Sequence, residues 1–213
     1  MSDIYDPIEQ VTAYLENHFS GEILDIGPGP KLFPTATCSA DWNVWKDSKV
    51  ADNHVVDINF NIDQLPFKDI DYVYCRHVVE DLRNPYNLFE EIKKVATKGY
   101  IETPSPYHEL LAKVDKGNPW KGHYHHMWFV WTEDNVLNLM PKISAIEFVK
   151  TQTLFSTDVF DYNNYYLFED GLKYKIWELG RDLEIKDYFK LLQRALHKSA
   201  EHKQEFKKLV LND

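Results

Sequence analysis

Apolar and polar positions along the first hundred residues follow the pattern of strands separated by helices. A helical stripe covers Pro7–Phe19, and a second one covers Pro85–Val95. We expect Asp6 and Asn84 to cap the N-termini of these two helices. Mainly apolar runs typical of buried strands lie at residues 22–26, 38–41, 54–58, 70–75 and 100–103. This order predicts an α/β fold with a parallel sheet.

The pattern changes after the fifth of these strands. Residues 104–131 contain prolines, glycines and a cluster of aromatic and histidine side chains, which indicates an inserted lid. Thr132 is the expected N-cap of a short helix over Glu133–Met140. A further strand is expected at Ile143–Val149.

The C-terminal third shows a turn signal and a long helical stripe. Asp170-Gly171 is a dipeptide typical of tight turns, so we expect residues 165–169 and 172–178 to form a hairpin. A long helix is expected over Ile185–Leu211. Six apolar side chains are predicted to face inward from that helix: Ile185, Phe189, Leu192, Leu196, Phe206 and Val210.

Length and composition indicate one domain with a substantial core. The chain has 213 residues, of which 44% are hydrophobic and 15% aromatic, so disordered and low-complexity classes are excluded. We expect a single domain over residues 1–213, with its core at about 21–103 and 143–178 and an acceptor lid at about 104–131.

Charge and cysteine content limit the partners and the compartment. The net charge of -10 disfavours nucleic-acid binding, because such a chain gains little from releasing counterions of a polyphosphate. The two cysteines, Cys38 and Cys75, are too few for a disulfide framework and suit a reducing compartment. The acidic N-terminus lacks a following apolar stretch, and no apolar run approaches the ~18 residues of a membrane span. We therefore expect a cytoplasmic protein with no membrane partner.

The segment Leu24-Asp-Ile-Gly-Pro-Gly-Pro30 is the most informative part of the sequence. Glycines that follow a first strand let a ligand approach the backbone at the carboxyl edge of a sheet, although a simple tight turn is the alternative. A dinucleotide-binding loop needs a third glycine where this chain has Leu32, followed by Phe33-Pro34. NAD and FAD are therefore disfavoured.

An acidic residue followed by Gly-x-Gly resembles motif I of the class I S-adenosylmethionine (SAM)-dependent methyltransferases. The resemblance implies a Rossmann-like sheet with helices on both faces, a lid after the fifth strand, and a C-terminal hairpin plus a long helix. It also implies SAM as the cofactor. Asp25 would lie near the methionine end of SAM, and Gly27, Pro28 and Gly29 would make room for it.

Three further segments follow in the order of that family. Asp41, followed by Trp42, ends the second strand, where the family places a carboxylate that binds the ribose hydroxyls. Asn61-Ile-Asp-Gln-Leu-Pro-Phe67 resembles the segment whose first residue and following backbone amide, here Asn61 and Ile62, read the adenine. This chain has asparagine where the family has aspartate.

The fourth strand and its continuation, Asp71–Leu82 with Pro85, resemble a family signature that often reads His-Val-x-Glu-His. The resemblance implies that the backbone of Cys75 and the side chain of Arg76 line the methionine moiety. Asp81 stands where the signature has its second histidine.

The proline-rich, shortened first loop is most similar to the branch of the family that modifies sugars and glycans. The chain as a whole resembles the methyltransferase domains of chlorovirus capsid-glycosylating multidomain enzymes. This resemblance implies O-methylation of a sugar hydroxyl in a glycan, for example on a deoxysugar such as rhamnose, by a chain that works within a larger glycosyltransferase polypeptide or complex in the host cytoplasm. A small-molecule or protein acceptor, or a non-catalytic SAM-binding module, are the alternatives.

The segment Trp120–Trp131 holds three of the nine histidines and three of the six tryptophans. Aromatic rings beside polar groups suit a sugar, whose C–H face packs on a ring while its hydroxyls form hydrogen bonds. The alternative is that Trp128–Trp131 is simply the core of the lid.

Removing the proton of a hydroxyl needs a base near neutrality, which histidine provides. We expect His125 or His126 to act as this base, with Asp81 orienting the imidazole or the sugar and His77 close by. We expect no metal, because a second cation beside the sulfonium of SAM is electrostatically unfavourable. The alternative is a mixed nitrogen and oxygen site that holds Mg²⁺ or Mn²⁺ through His77, Glu80, Asp81 and His126.

Overall fold

The computed structural model describes residues 7–41, 52–55, 65–112, 114, 119–150 and 156–212. Within them lie three α-helices: α1 (Glu9–His18), α2 (Pro85–Val95) and α3 (Ile185–Asn212). Nine strands are described: β1 (Ile23–Ile26), β2 (Cys38–Asp41), β3 (Asp52–Val55), β4 (Tyr72–Arg76), β5 (Gly99–Pro104), β6 (Trp128–Glu133), β7 (Val136–Pro141), β8 (Asn163–Phe168) and β9 (Tyr174–Ile176).

Six of these strands form the main sheet in the order β3-β2-β1-β4-β5-β8. The first five strands of the chain are parallel, and β8 runs antiparallel to β5 at the edge. The predicted α/β fold with a parallel sheet is confirmed. Because parallel strands end at one edge, the segments after β1, β2, β4 and β5 meet there, which is where such sheets bind ligands.

Alternating side chains of the main sheet build two cores on its opposite faces. Tyr72 and Tyr74 of β4 pack against α1 and the C-terminal half of α3. Val73 and Cys75 of the same strand pack against α2 and the second sheet. Helices therefore cover both faces, as expected for a Rossmann-like sheet.

The predicted helices α1 and α2 are present, but their predicted N-cap residues are not confirmed. Helix α2 has the predicted bounds, but the Asn84 side chain makes no capping hydrogen bond. Helix α1 begins at Glu9 with Ile8 at the N-cap position, so the predicted start at Pro7 is wrong. The expected cap Asp6 lies outside the described residues.

The helix predicted over Glu133–Met140 is wrong, because this segment completes a β-hairpin. Strands β6 and β7 pair antiparallel, with Glu133 opposite Val136. The two residues between them, Asp134 and Asn135, both have positive φ, at 51° and 56°. Two such residues form the tight turn that matches the twist of a hairpin. With β9, which pairs parallel to β7, these strands form a second sheet.

Two further predictions of local structure are corrected. The strand expected at Ile143–Val149 is a 3₁₀ turn over Ser144–Phe148. The strands on either side of Asp170-Gly171 do not pair with each other, because β8 joins the main sheet and β9 joins the second sheet. Gly171 does take the positive φ of a turn residue, at 85°.

Helix α3 has 28 residues, about 42 Å at ~1.5 Å per residue, and packs on both sheets. Tyr188 and Leu192 contact the second sheet, whereas Phe206 and Val210 contact the main sheet. Two of the side chains predicted to face inward, Ile185 and Phe189, are instead exposed. No helix in the described part of the chain is long and apolar enough to cross a bilayer.

Candidate active site

The glycine loop lies at the carboxyl edge of the main sheet, directly after β1. Gly27 and Gly29 both have positive φ, at 70° and 56°. A Cβ at Gly27 would lie 2.2 Å from Val78 Cγ2, whereas a Cβ at Gly29 would meet nothing within 4 Å. Gly27 is thus required for packing, and the space above Gly29 suits a bound ligand.

Two buried carboxylates hold this loop and the residues after it by accepting backbone hydrogen bonds. Asp25 Oδ2 accepts a hydrogen bond from Phe33 N at 2.7 Å, and Asp41 Oδ2 accepts one from Gly29 N at 2.9 Å. Burial raises the pKa of Asp25 to about 7, even though the bond from Phe33 opposes this shift. Asp25 thus lies within β1, just before the glycine loop, and Asp41 lies at the end of β2.

The other residues expected around the cofactor fall into two groups. Trp42, Asn61 and Ile62 lie outside the described residues. Cys75 and Arg76 end β4 at the same edge as the glycine loop, and Cys75 is fully buried.

Arg76 belongs to a buried polar network centred on Glu102 of β5. Arg76 Nε donates to Glu102 Oε1 at 2.8 Å, and Asn163 Nδ2 donates to the same oxygen at 2.7 Å. Tyr100 donates its hydroxyl to the other carboxylate oxygen at 2.5 Å. Arg76 Nη2 is buried and has no hydrogen-bond partner among the described residues, so this donor fits an anionic ligand group.

His77 follows β4 in a strained backbone conformation, with φ of 53°. Its Nδ1 lies 3.2 Å from Glu80 Oε1, and its Nε2 lies 3.8 Å from Glu102 Oε1. Burial, together with the charge of Arg76, lowers the pKa of His77 to about 3. Burial raises the pKa of Glu80 to about 7. A pKa this low makes His77 a weak base, so it does not suit the task of taking a proton from an acceptor hydroxyl.

Backbone hydrogen bonds fix the described part of the lid over this edge. Met127 N donates to Glu80 O at 2.7 Å, and Gly122 N donates to Leu111 O at the same distance. Gly122 has φ of 57°, and a Cβ there would lie 2.8 Å from the Glu109 Cα. Only glycine permits this close approach, which brings the histidine segment directly above Glu109.

His126 is held by a buried carboxylate. Its Nδ1 lies 2.6 Å from Glu109 Oε1, and Lys142 Nζ lies 2.5 Å from Glu109 Oε2. Burial would raise the pKa of Glu109, but His126 and Lys142 together lower it to about 2. Burial would lower the pKa of His126, but Glu109 outweighs that effect and raises it. This pair fixes the imidazole and directs its Nε2 away from Glu109.

The other histidines of the lid converge on the same point. The Nε2 atoms of His125 and His126 both lie 3.7 Å from Asp81 Oδ1. His123, His125 and His126 each offer one ring nitrogen, and these three atoms lie within 4.8 Å of one another. The structure thus brings together His125, His126 and Asp81, as expected, and adds His123 to them.

The aromatic residues of the lid segment have two separate roles. Phe129, Val130 and Trp131 are fully buried, and so they belong to the core between the sheets and α3. Trp120 and Tyr124 are exposed, at 53% and 73%. The core interpretation therefore holds for the end of this segment, and exposed rings flank the histidines at its start.

Sequence reasoning missed four residues of the site: Glu102, Glu109, His123 and Lys142. His123 lies in the same histidine run as His125, so the run itself was the signal. Glu109 sits in a 3₁₀ turn after β5, and Lys142 follows β7. No local sequence motif marks Glu109 or Lys142. They contact each other across 33 residues of chain, and a short sequence pattern cannot show such a pair.

Residues 10–101 match the family model described as a methyltransferase domain. This match, which covers less than half of the chain, and the order of the main sheet support the class I SAM-dependent methyltransferase interpretation with SAM as the cofactor. No curated protein matches the chain at a significant level.

Three of the solved structures that match this chain follow, each with a TM-score of 0.40 or below. A SAM-dependent methyltransferase from Mesorhizobium loti is 15% identical, with a TM-score of 0.35 over 42% of this chain and 50% of its own. The plantazolicin methyltransferase in complex with SAH is 21% identical, with a TM-score of 0.35 over 46% of each chain. A SAM-dependent methyltransferase from Clostridium acetobutylicum is 12% identical, with a TM-score of 0.40 over 89% of this chain and 80% of its own. The chain thus spans about half the length of the first of these structures.

Proposed function

We propose that this protein is a SAM-dependent O-methyltransferase that methylates a sugar hydroxyl of a glycan. One observation carries the proposal: at the carboxyl edge that bears the glycine loop, Glu109 fixes the buried His126, and the His126 Nε2 faces Asp81. An imidazole held in this way is suited to take a proton from a hydroxyl.

The described residues on the cofactor side fit SAM. The space above Gly29 is open, Asp41 ends β2 beside it, and Arg76 offers a buried Nη2 donor without a partner in the described structure. We propose that Asp41 accepts bonds from the ribose hydroxyls and that Arg76 binds the methionine carboxylate. Asp25 holds the loop through Phe33. When bound, SAM supplies an electrophilic methyl group on a positively charged sulfur.

The acceptor side supplies the base. Because Nδ1 of His126 bonds to the Glu109 carboxylate, Nδ1 carries the proton and the lone pair of Nε2 is available to the acceptor hydroxyl. Asp81 lies beside this nitrogen and either accepts a bond from the sugar or stabilises the imidazolium. His125 lies at the same distance from Asp81 but is exposed, so we assign the base to His126. His77 positions this region from beneath, through Glu80.

A carbohydrate acceptor is supported by the surface around this base. Trp120 and Tyr124 present exposed rings within a few residues of the histidines, and such rings pack on the C–H face of a sugar. The net charge of -10 disfavours a nucleic-acid acceptor.

Several broader features remain proposals that rest on sequence resemblance. We propose one domain whose residues 104–131 form the acceptor lid, of which Trp128–Trp131 also contributes to β6. By the resemblance to chlorovirus glycosylating enzymes, the acceptor would be a deoxysugar such as rhamnose, and the chain would work within a larger glycosyltransferase assembly in the cytoplasm.

The test is a mass-spectrometric screen with SAM and four acceptor panels: rhamnose-containing glycans, other glycans, small-molecule alcohols, and peptides. We expect a product heavier by one methylene unit with a glycan, and much slower formation of that product with the His126→Ala variant. Methylation of peptides or small molecules alone would overturn the glycan assignment. SAM binding without turnover on any panel would favour a non-catalytic module.

A further inference from the structure

We propose that His123, His125 and His126 of the lid, together with Asp81, form a binding site for one divalent transition-metal ion of the zinc class. The site differs from the set that the sequence suggested. In that set, His77 Nδ1 lies 3.2 Å from Glu80 Oε1, and His77 Nε2 lies 3.8 Å from Glu102 Oε1.

The spacing of the donor atoms fits a four-coordinate ion. In a tetrahedral site with metal–nitrogen bonds of about 2.1 Å, neighbouring donor atoms lie about 3.4 Å apart. Asp81 Oδ1 lies 3.7 Å from Nε2 of both His125 and His126. The three imidazoles each offer a nitrogen within 4.8 Å of the others. These distances are somewhat longer than those of an occupied site, so a bound ion would draw the donor atoms inward.

The surroundings of His126 support ligation rather than chance proximity. Metal-bound histidines commonly donate their second ring N–H to a carboxylate, which fixes the ring and its tautomer. Glu109 has this role toward His126 Nδ1, and Lys142 holds both Glu109 and the His123 carbonyl. A backbone bond from His126 N to His123 O closes the turn that gathers the three rings.

The donor set selects the class of ion. Three imidazoles and one carboxylate suit zinc, cobalt or nickel, whereas magnesium and calcium prefer oxygen donors. His123 and His126 are buried, and the His125 side chain is 48% exposed, so an ion has a path of entry. Mg²⁺ and Mn²⁺, which the sequence alternative named, are therefore disfavoured.

Metal binding has a consequence for catalysis that rests on the proposed function. The lone pair of His126 Nε2 cannot bind a metal and accept a proton at the same time. An occupied site would therefore block the base, so we expect the metal-free protein to be active and zinc to inhibit it.

The binding test does not depend on activity. The purified chain is freed of metal with a chelator and titrated with Co²⁺, whose visible absorption reports tetrahedral coordination, and with Zn²⁺ by calorimetry. We expect one equivalent of each ion, and a loss of at least about tenfold in affinity for His123→Ala, His125→Ala and Asp81→Asn. His197→Ala is the matched control, because that histidine lies on the exposed face of α3.

Circular dichroism checks that each variant is folded. His125 is half exposed, so its replacement tests the site with little risk to the core. Equal Zn²⁺ affinity of the wild type, the lid variants and the control would overturn the metal site.

Activity assays then separate this inference from the proposed function. Inhibition by Zn²⁺ that is lost in His125→Ala supports both the site and its effect on the base. Turnover that requires the metal would uphold the site and overturn His126 as the base. Turnover by a chain that binds no metal would uphold the proposed function and overturn the metal site.

Discussion

The cofactor side and the acceptor side of the candidate site are held by different kinds of contact. On the cofactor side, carboxylates act on the backbone: Asp25 accepts from Phe33 N, and Asp41 accepts from Gly29 N. On the acceptor side, side chains hold one another: Glu109 binds both His126 and Lys142. The glycine loop is thus held through its backbone, whereas the acceptor side is a network of charged side chains.

This difference predicts which substitutions each side tolerates without losing its structure. A loop held by backbone bonds keeps its shape when an acceptor oxygen is conserved, because the bond to the main chain survives. A substitution in a buried network costs more stability, because removing one partner leaves other charged groups unpaired in a medium of low polarity. Four tests follow from this contrast.

The largest expected effect is on the acceptor side, at His126. Replacing it by alanine removes the proposed base, and general-base catalysis typically contributes ~10²–10⁴-fold. We expect kcat for glycan methylation to fall by that factor, with SAM affinity by calorimetry almost unchanged, because we propose that His126 contacts the acceptor and not SAM.

His197→Ala serves as the control for this variant, since its side chain is 71% exposed on α3. A fall in SAM affinity as large as the fall in kcat would show that the two sides are not separable.

The second test concerns the buried Asp25 and the pH dependence of stability. Its pKa rises from 3.8 to about 7 on folding, mainly through burial, so the folded state keeps the proton longer than the unfolded chain. Stability from this group is fully present below about pH 4 and is lost as the pH rises toward 7. Asp25→Asn keeps an acceptor for Phe33 N and removes this loss.

We therefore expect Asp25→Asn to gain stability relative to the wild type between pH 4 and pH 7, by as much as about 4 kcal/mol at the upper end. Urea unfolding at several pH values measures the difference. The exposed Asp170→Asn is the control. A constant difference at all pH values would mean that folding does not raise the pKa of Asp25.

The third test concerns Asp41. Alanine at this position removes the carboxylate that holds Gly29 and that we propose for the ribose hydroxyls. Loss of two charge-assisted hydrogen bonds should weaken SAM binding by roughly 3 kcal/mol, measured by calorimetry. Binding of NAD in place of SAM to the wild type would contradict the whole assignment of this side.

The same contrast explains what the sequence could predict. The glycine loop, Asp41 and the bounds of α2 depend on short stretches of chain, and the structure has them as expected. Val136, Leu137 and Met140 also fit a helical stripe, so the sequence pattern predicts a helix where the structure has the hairpin of β6 and β7.

Most of the acceptor side depends on contacts between distant segments. Glu109 reaches His126 across 17 residues and Lys142 across 33, and no local pattern marks such a pair. The hairpin predicted around Gly171 is wrong for the same reason, since each strand pairs with a strand far away in the sequence rather than with its neighbour. The residue types of the lid indicated its chemistry, but only the fold shows which histidine the carboxylate holds.

The smallest expected effect is on SAM affinity, at the adenine end of the cofactor side. Asn61 stands where the methyltransferase family has an aspartate, and it lies outside the described residues. An amide oxygen and a carboxylate can both accept a bond from the adenine amino group, and the carboxylate accepts the stronger one. We therefore expect Asn61→Asp to keep SAM affinity or to raise it by less than about tenfold, a change of under about 1.4 kcal/mol by calorimetry. Asn17→Asp, on α1, is the control. A large loss of affinity would show that another carboxylate of this segment, Asp57 or Asp63, is the adenine contact and that a second like charge disturbs it.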